Sequence, residues 1–292
     1  GDSACSLPTH SLPPAVVDEI RRQTKALAQE LEVVGLMNVQ FAVKNGEVYV
    51  LEVNPRASRT IPFVSKAIGV PLAKLASQVM AGQKLADLGF TEEIIPKYFS
   101  VKEVVLPFVK FRGVDILLGP EMKSTGEVMG MDVDFGMAFA KAQMAASSTL
   151  PLKGTVFVSV KDKDKDLVVP TAKALFDLKF KLVATEGTAN FLKQHGIEAD
   201  MLKKIKEGSP NVIDLIQEGK LDLIINTPAG EKPRQDEIRI RTMRVSRGVP
   251  CITTIEGAQA SVSGIRAMKE KKLTAQSLQD YHRATSKKPV HV

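Results

Sequence analysis

Apolar positions recur at two different periods along the chain. Val17, Ile20, Thr24, Leu27, Ala28 and Leu31 fall three or four residues apart behind Pro13–Pro14, which predicts an amphipathic helix ending near Gly35. From 36 to 43, and again from 47 to 53, the period drops to two, and Asn45–Gly46 between them is a strong turn signal, so this stretch predicts a β-hairpin. Helices are predicted over 61–68 and 71–81, the second opened by Pro71 and closed by Gly82. Strands are predicted over 98–106 and 125–131.

A helix rich in Ala and Met (Ala138 to Ala146) runs into Ser147-Ser148-Thr149-Leu150-Pro151, read as a linker that divides the chain into residues 1–147 and 148–292. Beyond it short apolar strands alternate with helices: strand 155–160, helix 168–178, strand 181–185, helix 188–194, strand 221–226, helix 236–247, strand 251–254 and helix 257–269. Such alternation predicts an α/β domain with a doubly wound parallel sheet, whose ligand crevice lies at the carboxyl ends of the strands.

Composition narrows the classes of function. Of the 292 residues, 44% are hydrophobic and 25% charged, as in soluble globular chains, and the length suits two domains. No apolar run is long enough for a membrane span, and the first residues carry no export signal, so a cytoplasmic protein is expected. Two cysteines, Cys5 and Cys251, cannot build a disulfide scaffold, and the 4 histidines show no ligand spacing. The net charge of +7 is spread, as in Lys161-Asp162-Lys163-Asp164-Lys165-Asp166, without the basic block of a nucleic-acid binder. The excess suits small phosphorylated anions.

The hairpin carries the first candidate chemistry. Gln40 lies in its first strand, Glu52 and Asn54 in its second, and Arg56 just past the end. Glu52 and Asn54 share a face; Gln40 joins them only if cross-strand partners sum to an even number. A two-residue turn at Asn45–Gly46 would make that sum odd, so a three-residue loop with Gly46 in a left-handed bulge is expected. Three oxygen donors beside an arginine then suit Mg²⁺ or Mn²⁺ with nucleotide phosphates. The competing reading is a solvated polar face.

The run Glu52-Val53-Asn54-Pro55-Arg56 resembles the metal-binding end of ATP-grasp ligases. The longer match, Met37-Asn38-Val39-Gln40-Phe41 with Glu52 through Arg59 and Pro62-Phe63-Val64-Ser65-Lys66, resembles the large chain of carbamoyl-phosphate synthases. It continues through Ser100 to Phe108, Leu118 to Met122 and Ser124 to Val128 to beyond residue 257. The resemblance implies that residues 1–147 are the C-terminal part of the second, carbamate-phosphorylating ATP-grasp unit (α+β, with an antiparallel hairpin). It places the metal ligands on Gln40, Glu52 and Asn54, for two ions in the complete ATP site, and a catalytic phosphate-holding arginine on Arg56. Asp2 and Glu103 match acidic positions that bind the activator ornithine in some bacterial members, although the facing stretch reads Pro250-Cys251-Ile252 instead of a histidine-containing one. The family makes carbamoyl phosphate from bicarbonate, glutamine-derived ammonia and two ATP, for arginine and pyrimidine biosynthesis, with a glutaminase small subunit and as an oligomer. The first half of the ATP-grasp unit is not in this sequence, so ligase activity of the isolated chain is not expected. Gly119 to Thr125 superficially suggests a P-loop, but Met122 stands where glycine is required.

Residues 148–292 resemble the methylglyoxal synthase-like allosteric domain that ends these chains and binds nucleotide effectors such as UMP or IMP. Thr185-Glu186-Gly187-Thr188 falls where a strand meets a helix, so hydroxyls and helix amides can receive phosphate. Lys165 and Lys204 supply positive charge; Asn226–Thr227 and Ser159 end neighbouring strands. The resemblance puts the phosphate site on Thr185, Thr188, Lys204, Asn226 and Thr227, with Pro228–Ala229 replacing the family's second threonine–serine pair. The bland alternatives are helix caps and a solvated Lys–Asp turn. Two further readings are a stand-alone nucleotide-sensing module and a methylglyoxal synthase-type lyase; the latter needs a carboxylate base where this chain has Gly208-Ser209-Pro210-Asn211.

Overall fold

The computed structural model describes residues 3–107, 122–227, 240, 243 and 248–285. Its strands are β1 (Cys5–Leu7), β2 (Asn38–Lys44), β3 (Glu47–Asn54), β4 (Phe99–Val105), β5 (Gly126–Asp132), β6 (Thr155–Ser159), β7 (Lys181–Thr185), β8 (Asp200–Leu202), β9 (Leu223–Asn226) and β10 (Cys251–Ile252). Its helices are α1 (Pro14–Glu30), α2 (Thr60–Ile68), α3 (Leu72–Met80), α4 (Phe135–Ala145), α5 (Lys165–Asp177), α6 (Glu186–Gln194), α7 (Val212–Gln217), α8 (Ile255–Glu270) and α9 (Leu278–Thr285). The helix expected over 236–247 lies almost wholly outside the described residues, as does the 119–121 stretch of the P-loop look-alike.

Two compact units emerge: Ser6–Ser100 with Ala275–Val292, and Asp2–Cys5 with Val101–Thr274. In the first unit β2 and β3 form the hairpin, α1 packs against β3, and α2 packs against α3. The last helix, α9, belongs here too: Tyr281 meets Tyr98 edge-on at 4.9 Å, and His282 Nε2–H donates to the Lys66 carbonyl at 2.9 Å.

The second unit is built on a five-stranded parallel sheet in the order β10-β9-β6-β7-β8. Pairing is in register: Phe157 stands beside both Val183 and Ile224, and these three pack with Val212, Ile213 and Ile216 of α7. On the alternate positions Val156, Val158, Leu223 and Ile225 are fully buried, so both faces of the sheet are covered. That is the doubly wound arrangement expected from the alternation of elements.

Residues 101–107 and 122–146 pack into the same unit, whose main span therefore begins well upstream of Ser147. Helix α4 begins at Asp134, whose carboxylate accepts from the Met137 N–H at 2.9 Å, and is held on β5 and α8 at very close range. A Cβ on Gly130 would stand 2.1 Å from the Ala138 carbonyl oxygen, and one on Gly136 would stand 2.4 Å from that of Ser263. Backbone atoms cannot yield as side chains do. Gly136→Ala is therefore expected to lower unfolding free energy by roughly 1–3 kcal/mol or more through overpacking, measured by urea denaturation. Gly126→Ala, where nothing lies within 4 Å, serves as the neutral control.

Candidate functional site

The hairpin brings the expected oxygen donors together, by a different route from the one the turn sequence implies. The turn is a two-residue one: Lys44 pairs with Glu47, and Asn45 and Gly46 both take positive φ, 54° and 83°. The three-residue bulged loop is therefore corrected to a tight turn of the kind that matches strand twist. The register shifts further along, between Gln40 and Phe41: Phe41 faces Val50, but Gln40 faces Glu52. Leu51 is the extra residue of a mid-strand bulge. Cross-strand partners thus sum to an odd number near the turn and to an even number beyond the bulge, where the donors are.

Gln40 lies directly opposite Glu52, and Asn54, two residues on, shares its face. Asn54 Nδ2 donates to Glu52 Oε1 at 2.7 Å, and Arg56 Nη2 donates to Asn54 Oδ1 at 3.1 Å. The other face carries Val39, Phe41, Val43, Val48, Val50 and Val53, so the two faces are segregated by chemistry. Among the described residues no three His, Cys, Asp or Glu side chains are grouped to hold a metal. The hairpin set has one carboxylate and two amides, all hard oxygen ligands. That set fits a divalent cation whose remaining ligands are phosphate oxygens and water.

A second polar grouping lies at the carboxyl edge of the parallel sheet. Register puts Asn226, Ser159 and Thr185 at one level on three adjacent strands and, by parity with Ile224, Phe157 and Val183, on one face. Ser159 Oγ and Thr185 Oγ1 are 3.4 Å apart. Thr185 holds the N-cap position of α6 without making a side-chain cap, which removes the bland reading of its hydroxyl. Thr227 N–H donates to the Ser159 carbonyl, and Thr227 Oγ1 accepts from the Lys161 N–H at 3.1 Å.

Asn226 is 4% exposed and, among the described residues, its Nδ2 has no hydrogen-bond partner. A buried donor left unmatched costs about 1–3 kcal/mol, so this group marks a place where an acceptor is wanted. Thr188 is 3% exposed in the first turn of α6. Lys165 Nζ reaches that same turn, 3.7 Å from where a Cβ on Gly187 would stand. Lys204 follows β8, beyond the Leu202 that pairs with Thr185, and its exposed ammonium lies 3.9 Å from Glu207.

Comparison with known proteins then decides the family. Residues 1–88 match the carbamoyl-phosphate synthase L chain ATP-binding domain, and residues 167–253 match the MGS-like domain. The carbamoyl phosphate synthase large chain of Nostoc sp. is 56% identical over 96% of this chain, and that of Archaeoglobus fulgidus 54% over 97%. The chain spans about a quarter of those two relatives, 26% of each. A shorter large-chain sequence from Methanosarcina barkeri is 52% identical over 97% of this chain and 71% of its own length. This chain belongs to the carbamoyl phosphate synthase large chain family. Among solved structures, the biotin carboxylase domain of a single-chain bacterial carboxylase aligns with a TM-score of 0.41 at 20% identity, over 49% of this chain and 39% of that one.

Within this large-chain sequence, reading by spacing alone overlooked three neighbours of the site residues. Asn38 faces Asn54 across the hairpin and so joins the polar face; counting back two from Gln40 finds it. Asp162 and Glu207 pair with Lys165 and Lys204, each three residues away. Of the two acidic positions matched to an activator, Asp2 lies outside the described residues. Glu103 is half-buried, and its carboxylate accepts from Gln143 Nε2 and from the Val104 N–H.

Burial pushes the Glu103 carboxyl above its ordinary range, with the Val104 N–H, Lys102 and Gln143 pulling the other way. A raised carboxyl favours the folded state below the unfolded pKa and withdraws that stability as pH rises through the folded one. Glu103→Gln is therefore expected to raise the urea midpoint at pH 7 and to leave it unchanged near pH 4, in paired denaturation curves.

No helix among the described residues is long and apolar enough to cross a membrane.

Proposed function

We propose that this chain contributes the metal-ligand end of the second ATP site of a carbamoyl phosphate synthase large chain, together with a nucleotide-effector domain. The reading rests on the bulge-shifted register that sets Gln40 opposite Glu52 with Asn54 alongside. In the whole enzyme the reaction joins bicarbonate, glutamine-derived ammonia and two ATP into carbamoyl phosphate, with a glutaminase small subunit as partner. Gln40, Glu52 and Asn54 would hold Mg²⁺ or Mn²⁺, which supplies charge neutralisation on the ATP phosphates. Asn54 orients Arg56 through its Oδ1, and Arg56 holds negative charge on the carbamate and the transferred phosphoryl group. Residues 1–147 form the synthetic part and 148–292 the effector part. The isolated chain is expected to be inactive as a ligase. In a hybrid large chain ending in these 292 residues, Glu52→Gln should lower carbamoyl phosphate formation by about 10²-fold, measured as ATP-dependent product formation.

The second reading, effector sensing, is favoured by the unmatched Asn226 Nδ2 beside Ser159 and Thr185. An anionic effector such as UMP or IMP would place acceptor oxygens there, with Thr188, Thr227, Lys165 and Lys204 completing the site. Coupling between such a site and a synthetic unit is typically about 1–3 kcal/mol. A lyase reading is poorly supported: Asp214, the carboxylate hydrogen-bonded to the Gly208–Asn211 loop, accepts from Ser209 Oγ and the Asn211 N–H and is held below its usual range. Calorimetric titration with UMP and IMP should give saturable binding that weakens at least about tenfold in Lys204→Ala and in Thr188→Ala, the loss of a hydrogen bond to a charged group. Absence of heat with either nucleotide in a folded chain would sink the effector reading.

A further inference from the structure

Lys165 is placed where a cation is not naturally at rest. Its ammonium lies against the first turn of α6, near Gly187, and 5.9 Å from the Phe191 ring centroid. The amino end of a helix carries partial positive charge, so a lysine head there needs an anion beside it. Asp162 provides one: its Oδ1 lies 2.8 Å from Lys165 Nζ, on a side chain that is 94% exposed. Lys165 in turn holds the Asp162 carboxyl below its ordinary range, through their hydrogen bond first and their charges second. The neighbouring Asp164 is engaged elsewhere, 3.5 Å from Lys161 Nζ.

We propose that Asp162 is a resident counter-ion of the anion edge, which occupies Lys165 until a phosphate displaces it and so sets the affinity of the site. The proposal rests on reading the edge as a phosphate site and adds the residue that competes for it. Displacement is easy, because an ion pair this exposed is worth little in water; the barrier it adds is a few-fold in affinity rather than a lock. A phosphate dianion matches both the ammonium and the helix amides, whereas among the described residues the Asp162 carboxylate reaches only the ammonium. The competition therefore favours phosphate monoesters over singly charged anions. Glu207 stands to Lys204 in the same three-residue relation, at a longer 3.9 Å, and is the weaker competitor.

The test titrates the chain with inorganic phosphate and with UMP, comparing wild type with Asp162→Asn, Asp166→Asn, Lys165→Ala and the double variant Asp162→Asn/Lys165→Ala. Asp162→Asn should tighten phosphate binding about three- to tenfold, while Asp166→Asn, an equal change in net charge four residues on, should change it by less than about twofold. In the Lys165→Ala background the gain from Asp162→Asn should vanish. The proposal fails if Asp162→Asn leaves affinity unchanged or weakens it, if Asp166→Asn tightens binding equally, or if the gain survives without Lys165. Binding by wild type with no response to Asp162→Asn would remove this proposal and leave the phosphate site standing. No binding by wild type or any variant would remove both.

Discussion

A parallel sheet buried on both faces leaves no room for polar side chains along its length, and that exclusion organises the second unit. Val156-Phe157-Val158, Leu182-Val183-Ala184 and Leu223-Ile224-Ile225 are apolar on both sides because helices and loops cover both. The first polar residue each strand can accept is the one that leaves the sheet: Ser159, Thr185 and Asn226. In-register pairing then sets these three at one level. This polar edge is thus a by-product of core formation, and it includes the buried Asn226 amide, whose Nδ2 has no partner among the described residues.

The hairpin reaches a comparable result by breaking regularity. A two-residue turn fixes pairing from the turn outward, and with strictly regular strands it would set Gln40 opposite Leu51 on the face of Val53, leaving Glu52 and Asn54 on the other face with Val39 and Phe41. One unpaired residue, Leu51, cancels that consequence for the far half of the hairpin and leaves the near half untouched. The cost is a large apolar side chain left well exposed at the bulge.

Much of this was legible in the residues. Period-two and period-three-to-four patterns located the hairpin, α2, α3 and the β6-α5-β7-α6 run to within a few residues, and strand-end chemistry located Ser159, Thr185 and Asn226. Parity reasoning correctly required a bulge to unite Gln40 with Glu52 but put it in the turn, because Asn45–Gly46 serves a tight turn and a bulged loop equally well. Short elements escaped: β8 is three residues long and α7 six, too brief for periodicity to speak. The placement of α4 was illegible for another reason. Its contacts depend on missing side chains at Gly130, Gly136 and Gly264, and a glycine in a sequence does not say which backbone it admits.

Chain connectivity adds a property that no single contact has. The polypeptide leaves the first unit at Ser100 and re-enters it at Ala275, where α9 closes with Tyr281 on Tyr98. The span Val101–Thr274 is therefore an insertion in the first unit rather than an appendage, and the chain crosses between the units again at Cys5–Ser6. A single backbone cut at any one of these crossings leaves the units linked by chain. Seating α9 on the first unit therefore closes a loop over the whole inserted span, an entropic cost that grows only slowly with the length of the insert.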